Sequence, residues 1–198
     1  MTNSLQDRTQ APVSSVLDLE GVRRREPQAL AAFFDQHFDR VYGLVYRLLG
    51  DRHWAEDATQ EVFLKLHRAA HTLDPDRDPG PWVTTIAYNV CRDLWRSGAY
   101  RLSRNAISID DPDHGDGAIP PNLKDPEREL IASEREGLVQ DAIGKLKEPL
   151  RAVVVLREYQ GFSYVEIASL TGTSPVAARK RYSRALTELG KLLENTFE

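Results

Sequence analysis

Three sets of side chains in this sequence have the types and spacing to do chemistry. Toward the C-terminus Arg179, Lys180, Arg181, Arg184 and Lys191 recur along one stretch against a single acid, Glu188. Cations at that density neutralise phosphates, and Arg also pairs bidentately with the edge of guanine. A basic helix near a chain end also suits the helix dipole, so charge alone leaves DNA binding and a solvated face about even. Asp57, Gln60 and Glu61 form a second set on one polar helix face. Two carboxylates can run acid–base chemistry, but no His or Lys constellation accompanies Asp57 and Glu61, so solvated charge or a docking face is the better reading. His67 and His71 stand four apart, a spacing that can hold zinc, yet neither an HExxH nor a CxxC motif supports them. Cys91 lies beside an apolar helix face and reads as a small core residue. With no Walker lysine loop, G-x-G-x-x-G or nucleophile elbow, neither enzymatic activity nor a cofactor or metal is expected.

The bulk composition bounds the context. Of 198 residues, 41% are hydrophobic and 28% charged, ordinary values for a globular chain. The formal net charge of −4 means that any DNA contact must come from a local patch. The longest apolar run, Ala29 to Phe34, is far short of the ~20 residues of a membrane helix. The polar segment Met1 to Ser15 lacks the apolar core of a secretory signal. Membrane insertion is therefore not expected, and a single cysteine suits a reducing cytoplasm.

The elements that must carry these side chains read as helices throughout. Leu30, Phe34, Phe38, Val41, Val45 and Leu48 recur at three- and four-residue steps from Pro27 onward, with Gly50 placed to end the helix. A second helix over about 53–70 buries Ala58, Val62, Phe63 and Leu66. The Asp- and Pro-rich stretch from Leu73 to Gly80 is a loop by composition. A third helix from Pro81 sets Val83, Ile86, Ala87, Val90 and Leu94 against a face rich in hydrogen-bonding groups: Thr85, Tyr88, Asn89, Arg92 and Arg96. Between Asn105 and Glu129 seven acids face two basic residues, a composition that reads as an extended linker. Beyond it Leu138, Ala142, Ile143 and Leu146, then Val153, Val154 and Leu156, pattern two more helices. Ser163-Tyr164-Val165-Glu166 is a capping box, Thr171-Gly172-Thr173 a turn, and Ser174-Pro175 a helix start. That is the helix-turn-helix signature, whose second helix enters the major groove of DNA. The fold expected is all-α: a flexible leader (1–26), a helical domain (27–97), a flexible acidic linker (98–129) and a second helical domain (130–198).

With these residues in view, the chain resembles a family. Phe162 to Ala168, Gly172, Ser174 and Arg179 to Ala185 look like region four of bacterial sigma-70 factors. Ala55 to Leu66 resembles region two. Trp82, Ile86-Ala87, Asn89 and Arg92 to Arg96 look like the promoter-reading helix that follows. Two blocks in that order with no middle domain match the extracytoplasmic-function (ECF) group. The resemblance implies a sigma factor that binds core RNA polymerase, directs promoter-specific initiation in response to a stress or envelope signal, and is controlled by an anti-sigma factor. Asp57, Gln60, Glu61 and Phe63 would then meet the polymerase clamp coiled coil, while the C-terminal domain meets the flap. Trp82, Asn89, Arg92 and Arg96 would hold the unpaired downstream element, since a flipped base is retained by stacking and edge hydrogen bonds. Ser174, Pro175, Arg179, Lys180, Arg181 and Arg184 would read the upstream element as duplex. The runner-up reading is a stand-alone regulator whose N-terminal domain dimerises or senses a ligand. Some 30 linker residues span about 100 Å extended but average about 30 Å as a coil, so the free chain should keep its two halves close.

Overall fold

The computed structural model describes residues 17–107 and 126–194. Every regular element among them is helical. The N-terminal half comprises α1 (Leu19–Arg23), α2 (Pro27–Leu49), α3 (Arg52–Ala69), α4 (Gly80–Arg96) and α5 (Gly98–Ile107). The C-terminal half comprises α6 (Pro126–Lys145), α7 (Glu148–Val154), a π-helical turn (Val155–Tyr159), α8 (Tyr164–Thr171) and α9 (Pro175–Glu194).

Local chemistry sets most boundaries. Pro27 opens α2, where its missing N–H is no loss, and Gly50 closes it at φ 70°, donating to Tyr46 O at 2.8 Å. Asp51 caps α3 by accepting from the Trp54 N–H at 2.9 Å. The α2, α3 and α4 seam buries Phe33, Val41, Leu44, Leu48, Val62, Leu66, Val83 and Ala87. Ile143, Leu146, Val153, Leu156, Ile167, Ala178 and Ala185 form the core of the second half.

Five expectations need correction. The leader does not run to residue 26: α1 buries Val22, and Arg25 Nη2 donates to Arg68 O at 2.8 Å, tying it to the end of α3. Residues 1–16 lie outside the described part. Nor does the linker begin at 98. Helix α5 carries a buried Tyr100 whose hydroxyl donates to Leu49 O at 3.0 Å, at the end of α2. One long-range bond to an orphan helix carbonyl holds it, which composition does not reveal. At the other side α6 begins at Pro126, and the acidic stretch 108–125 falls outside the described residues. Phe38, read as part of the buried stripe, is 50% exposed, and Tyr88, read on a polar face, is only 5% exposed. Both corrections bear on function.

The two halves touch. Arg151 of α7 is 2% exposed and holds four backbone carbonyls. Its Nη1 donates to Leu48 O at 2.8 Å and Leu49 O at 3.2 Å, at the end of α2. Its Nη2 donates to Leu146 O at 2.9 Å and to Gly144 O, at the end of α6. Helix C-termini present unpaired carbonyls and the negative end of the dipole, which is how a guanidinium is accommodated at that depth.

Candidate polymerase and nucleic-acid interfaces

Helices α2 and α3 leave a groove of about 1030 Å³ between them, lined chiefly by Phe34, Phe38, Tyr42, Gln60, Phe63 and Leu64. Phe63 lies 4.9 Å from Phe34 and 5.9 Å from Phe38, ring centroid to centroid, and Phe38 stacks in turn on Tyr42 at 6.4 Å. An aromatic ladder left open with Phe38 and Leu64 half exposed is a surface shaped for another molecule. Asp39, Arg52 and Glu56 rim it with charge. Burial, helped by the Glu56 carboxylate, holds the Tyr42 phenol above its ordinary value, so it stays a neutral hydroxyl.

Of the sequence-predicted polymerase residues, Gln60 and Phe63 line this groove. Asp57 is exposed on the same helix, and half-buried Glu61 forms an ion pair with Lys65 at 3.8 Å. Sequence reasoning missed Phe34, Phe38 and Tyr42. Their i, i+4 spacing is the same for a buried stripe and for an open groove wall.

Helix α4 gathers the second set less evenly. Trp82 is half-buried, donates its indole N–H to Thr72 Oγ1 at 3.2 Å and lies 6.3 Å from Phe33. It is a wall of the domain with one partly open side. Asn89 and Arg92 are half-buried and Arg96 is exposed. Arg92 Nε and Trp95 Nε1, one turn apart, are buried donors with no hydrogen-bond partner among the described residues. Such donors cost free energy until an acceptor arrives. His67 is a groove residue, and His71 Nδ1 lies 3.2 Å from Arg68 O. Among the described residues no cluster of His, Cys, Asp or Glu could hold a metal ion.

The helix-turn-helix forms as its local chemistry requires. Ser163 Oγ accepts from the Glu166 N–H at 3.3 Å while Glu166 Oε2 accepts from the Ser163 N–H at 2.7 Å. Those bonds from Ser163 hold the Glu166 carboxyl below its ordinary value. Gly172 turns the chain at φ 66°, a left-handed backbone that favours glycine, and Ser174 Oγ then accepts from the Ala177 N–H at 3.1 Å to cap α9. Ala178, Ala185 and Leu189 face the core. Ser174, Pro175, Arg179, Lys180 and Arg184 are exposed along the helix. Arg181 differs: it is half-buried, and its charge reaches Tyr88 on α4.

Tyr164 organises the basic face. Its ring carries Arg157 at 5.0 Å and Arg179 at 5.3 Å, and it meets the Tyr182 ring at 5.9 Å. Tyr182 donates its hydroxyl to Glu158 at 2.7 Å. A cation resting on an aromatic face is aimed before it meets a phosphate or base.

Both surfaces lie within blocks of the chain that match known proteins. Residues 33–111 match the sigma-70 region 2 model and residues 136–189 the sigma-70 region 4 model. Over 188 residues the chain is 32% identical to the ECF RNA polymerase sigma factor SigK of Mycolicibacterium vanbaalenii, covering 91% of each. It is 29% identical to the RNA polymerase sigma-H factor of Pseudomonas aeruginosa, covering 89% of this chain and 92% of that one. In fold it is similar to the sigma factor RpoE of Bartonella quintana, solved with the anti-sigma factor NepR, with a TM-score of 0.63 over 83% of this chain and 96% of that one at 20% identity. With an aromatic groove in one matched block and a basic helix-turn-helix in the other, the chain belongs to the extracytoplasmic-function group of sigma-70 RNA polymerase sigma factors.

Proposed function

We propose that this protein docks on core RNA polymerase through the α2–α3 groove and carries two promoter-reading helices to their elements. The observation that carries this reading is the pairing, in one chain of net charge −4, of an open aromatic groove with a separate basic helix face. The groove's Phe63 and Gln60, flanked by Asp57 and Glu61, meet the clamp. Helix α4 takes the unpaired downstream strand, with Asn89, Arg92 and Arg96 as donors and Trp82 as a stacking wall. Helix α9 enters duplex DNA at the upstream element through Arg179, Lys180 and Arg184, with Ser174 and Pro175 at its leading end and Arg181 at its flank.

Initiation then needs no chemistry from this chain, which works in the cytoplasm as a specificity subunit. Its domains follow as 27–97 and 130–198 extended by α5 and by the start of α6. The partner class that completes the reading is an anti-sigma factor releasing the protein on a stress or envelope signal. Among the described residues no helix is long and apolar enough to cross a membrane.

Run-off transcription with purified core enzyme on fragmented genomic DNA tests the proposal. Promoter-specific transcripts should require both components, and the chain alone should shift duplex DNA poorly. Tight operator binding without polymerase, together with no transcripts in its presence, would instead identify a stand-alone regulator.

A further inference from the structure

Helix α9 buries Ala178, Ala185 and Leu189 along one side. At 3.6 residues per turn, the line opposite them runs through Val176, Lys180, Ser183 and Thr187, all exposed. Arg179 and Arg184 flank that line on its two sides, Arg179 resting against the Tyr164 ring at 5.3 Å. The Thr187 hydroxyl is turned back onto its own helix, donating to Ser183 O at 3.1 Å.

The leading residue of this outward line is apolar. Val176 is 65% exposed in the first turn of α9, directly after the Ser174 cap and Pro175. Nothing local calls for valine there. Ser174 already supplies the cap, the side chain points away from the core, and a β-branched residue is a poorer helix former than alanine. The first turn of the second helix is the part of a helix-turn-helix that reaches base edges. In the major groove the apolar group that a base pair presents is the C5-methyl of thymine.

We propose that Val176 is a specificity-determining residue: its side chain packs on the C5-methyl of one thymine in the major groove of the upstream element. The assignment rests on the reading of α9 as the upstream-reading helix. Lys180, one turn further along the same line, meets a base or phosphate beside that thymine, and Arg179 and Arg184 hold the helix from its two flanks. Charge then supplies attraction to any duplex, while the valine supplies preference for one base. A second valine provides an internal control. Val165 is exposed to a similar degree, 66%, and also stands second in its helix, but in α8, the helix that crosses the backbone instead of entering the groove.

The test removes the methyl group from the DNA. Holoenzyme assembled with core enzyme, and separately the full chain alone, select duplexes from a randomised library. Each thymine of the recovered upstream element is then replaced singly by uracil, which keeps every base-pairing group and lacks only the methyl. One such replacement should weaken wild-type holoenzyme binding about fourfold, the worth of one buried methyl. Val176→Ala holoenzyme should bind the thymine and uracil forms of that position alike, whereas Val165→Ala should keep the wild-type preference. The proposal is overturned if no uracil weakens wild-type binding, if Val176→Ala discriminates as wild type does, or if Val165→Ala loses the preference equally. Duplexes recovered by the chain alone but not with core enzyme sink the initiation-factor reading, and the uracil scan on those duplexes still decides the role of Val176. Recovery of no sequence in either arm sinks both.

Discussion

The α8–α9 surface is assembled from one short stretch of chain, whereas the α2–α3 groove gathers side chains spread between residues 34 and 67. In the first, exposed cations stand on a helix whose start, turn and buried face are all set within about thirty residues. In the second, no residue is chemically unusual, and the surface exists only because two helices leave their aromatic side chains half covered. A surface of cations tolerates small movements because Coulomb attraction is long-ranged. A surface of stacked rings does not, since packing is lost within an ångström. The upstream-reading face should therefore fail gradually under mutation and the groove abruptly.

The largest effect is expected away from both surfaces, where the halves that carry them share the bonds of one residue. Arg151→Ala leaves helix-end carbonyls of both halves buried without their donor. It should lower stability in urea unfolding by about 3 kcal/mol or more. A loss under 1 kcal/mol would show that the halves are energetically independent. Next in size is Phe63→Ala, a truncation at the centre of an aromatic docking surface, expected to cost about 2 kcal/mol in affinity for core polymerase. A titration with labelled core enzyme measures it, and Arg179→Ala should bind core normally in the same assay. If both variants bind core alike, the division of labour between the surfaces is wrong.

Arg179→Ala itself should cost about 1–2 kcal/mol in upstream-element binding by the holoenzyme. Tyr164→Leu should reproduce part of that loss and Tyr164→Phe little of it, because the ring face rather than the hydroxyl carries the cation. Equal losses for Leu and Phe would argue against aiming by the ring. The smallest effect is on the cap. Ser163→Ala should lower stability by about 1 kcal/mol near neutral pH. The Glu166 carboxyl is lowered in the folded state, so its share of stability is present above its unfolded value and fades as pH falls through the folded one. The gap between Ser163→Ala and wild type should therefore narrow in acid. A gap that widens in acid would contradict the assignment.

These differences also explain what could be read in advance. The capping box at Ser163 and Glu166, the Gly172 turn and the Gly50 helix end are bargains struck between near neighbours, so residue types reveal them. The groove was legible only through Gln60 and Phe63, because an i, i+4 apolar repeat at Phe34 and Phe38 does not say whether the next helix arrives to cover it. Tyr100 was read into the linker since its anchor, the Leu49 carbonyl, is a backbone group 51 positions away. Arg151 interrupts an apolar run and gives no sign of burial, because its partners are carbonyls about a hundred residues back. Where a side chain is satisfied by distant backbone, sequence pattern is silent.

Cys91 offers a different kind of use. It sits fully buried in α4, and burial pushes its thiol well above the ordinary range. Thiol reagents act on the thiolate, so alkylation must wait until α4 is uncovered. The wild-type chain thus contains a single, silent stopwatch. Its rate of modification under native conditions reports how often the N-terminal bundle breathes, with no engineered probe. The same measurement after polymerase or an inhibitory protein is added would tell which of them steadies that bundle and which loosens it.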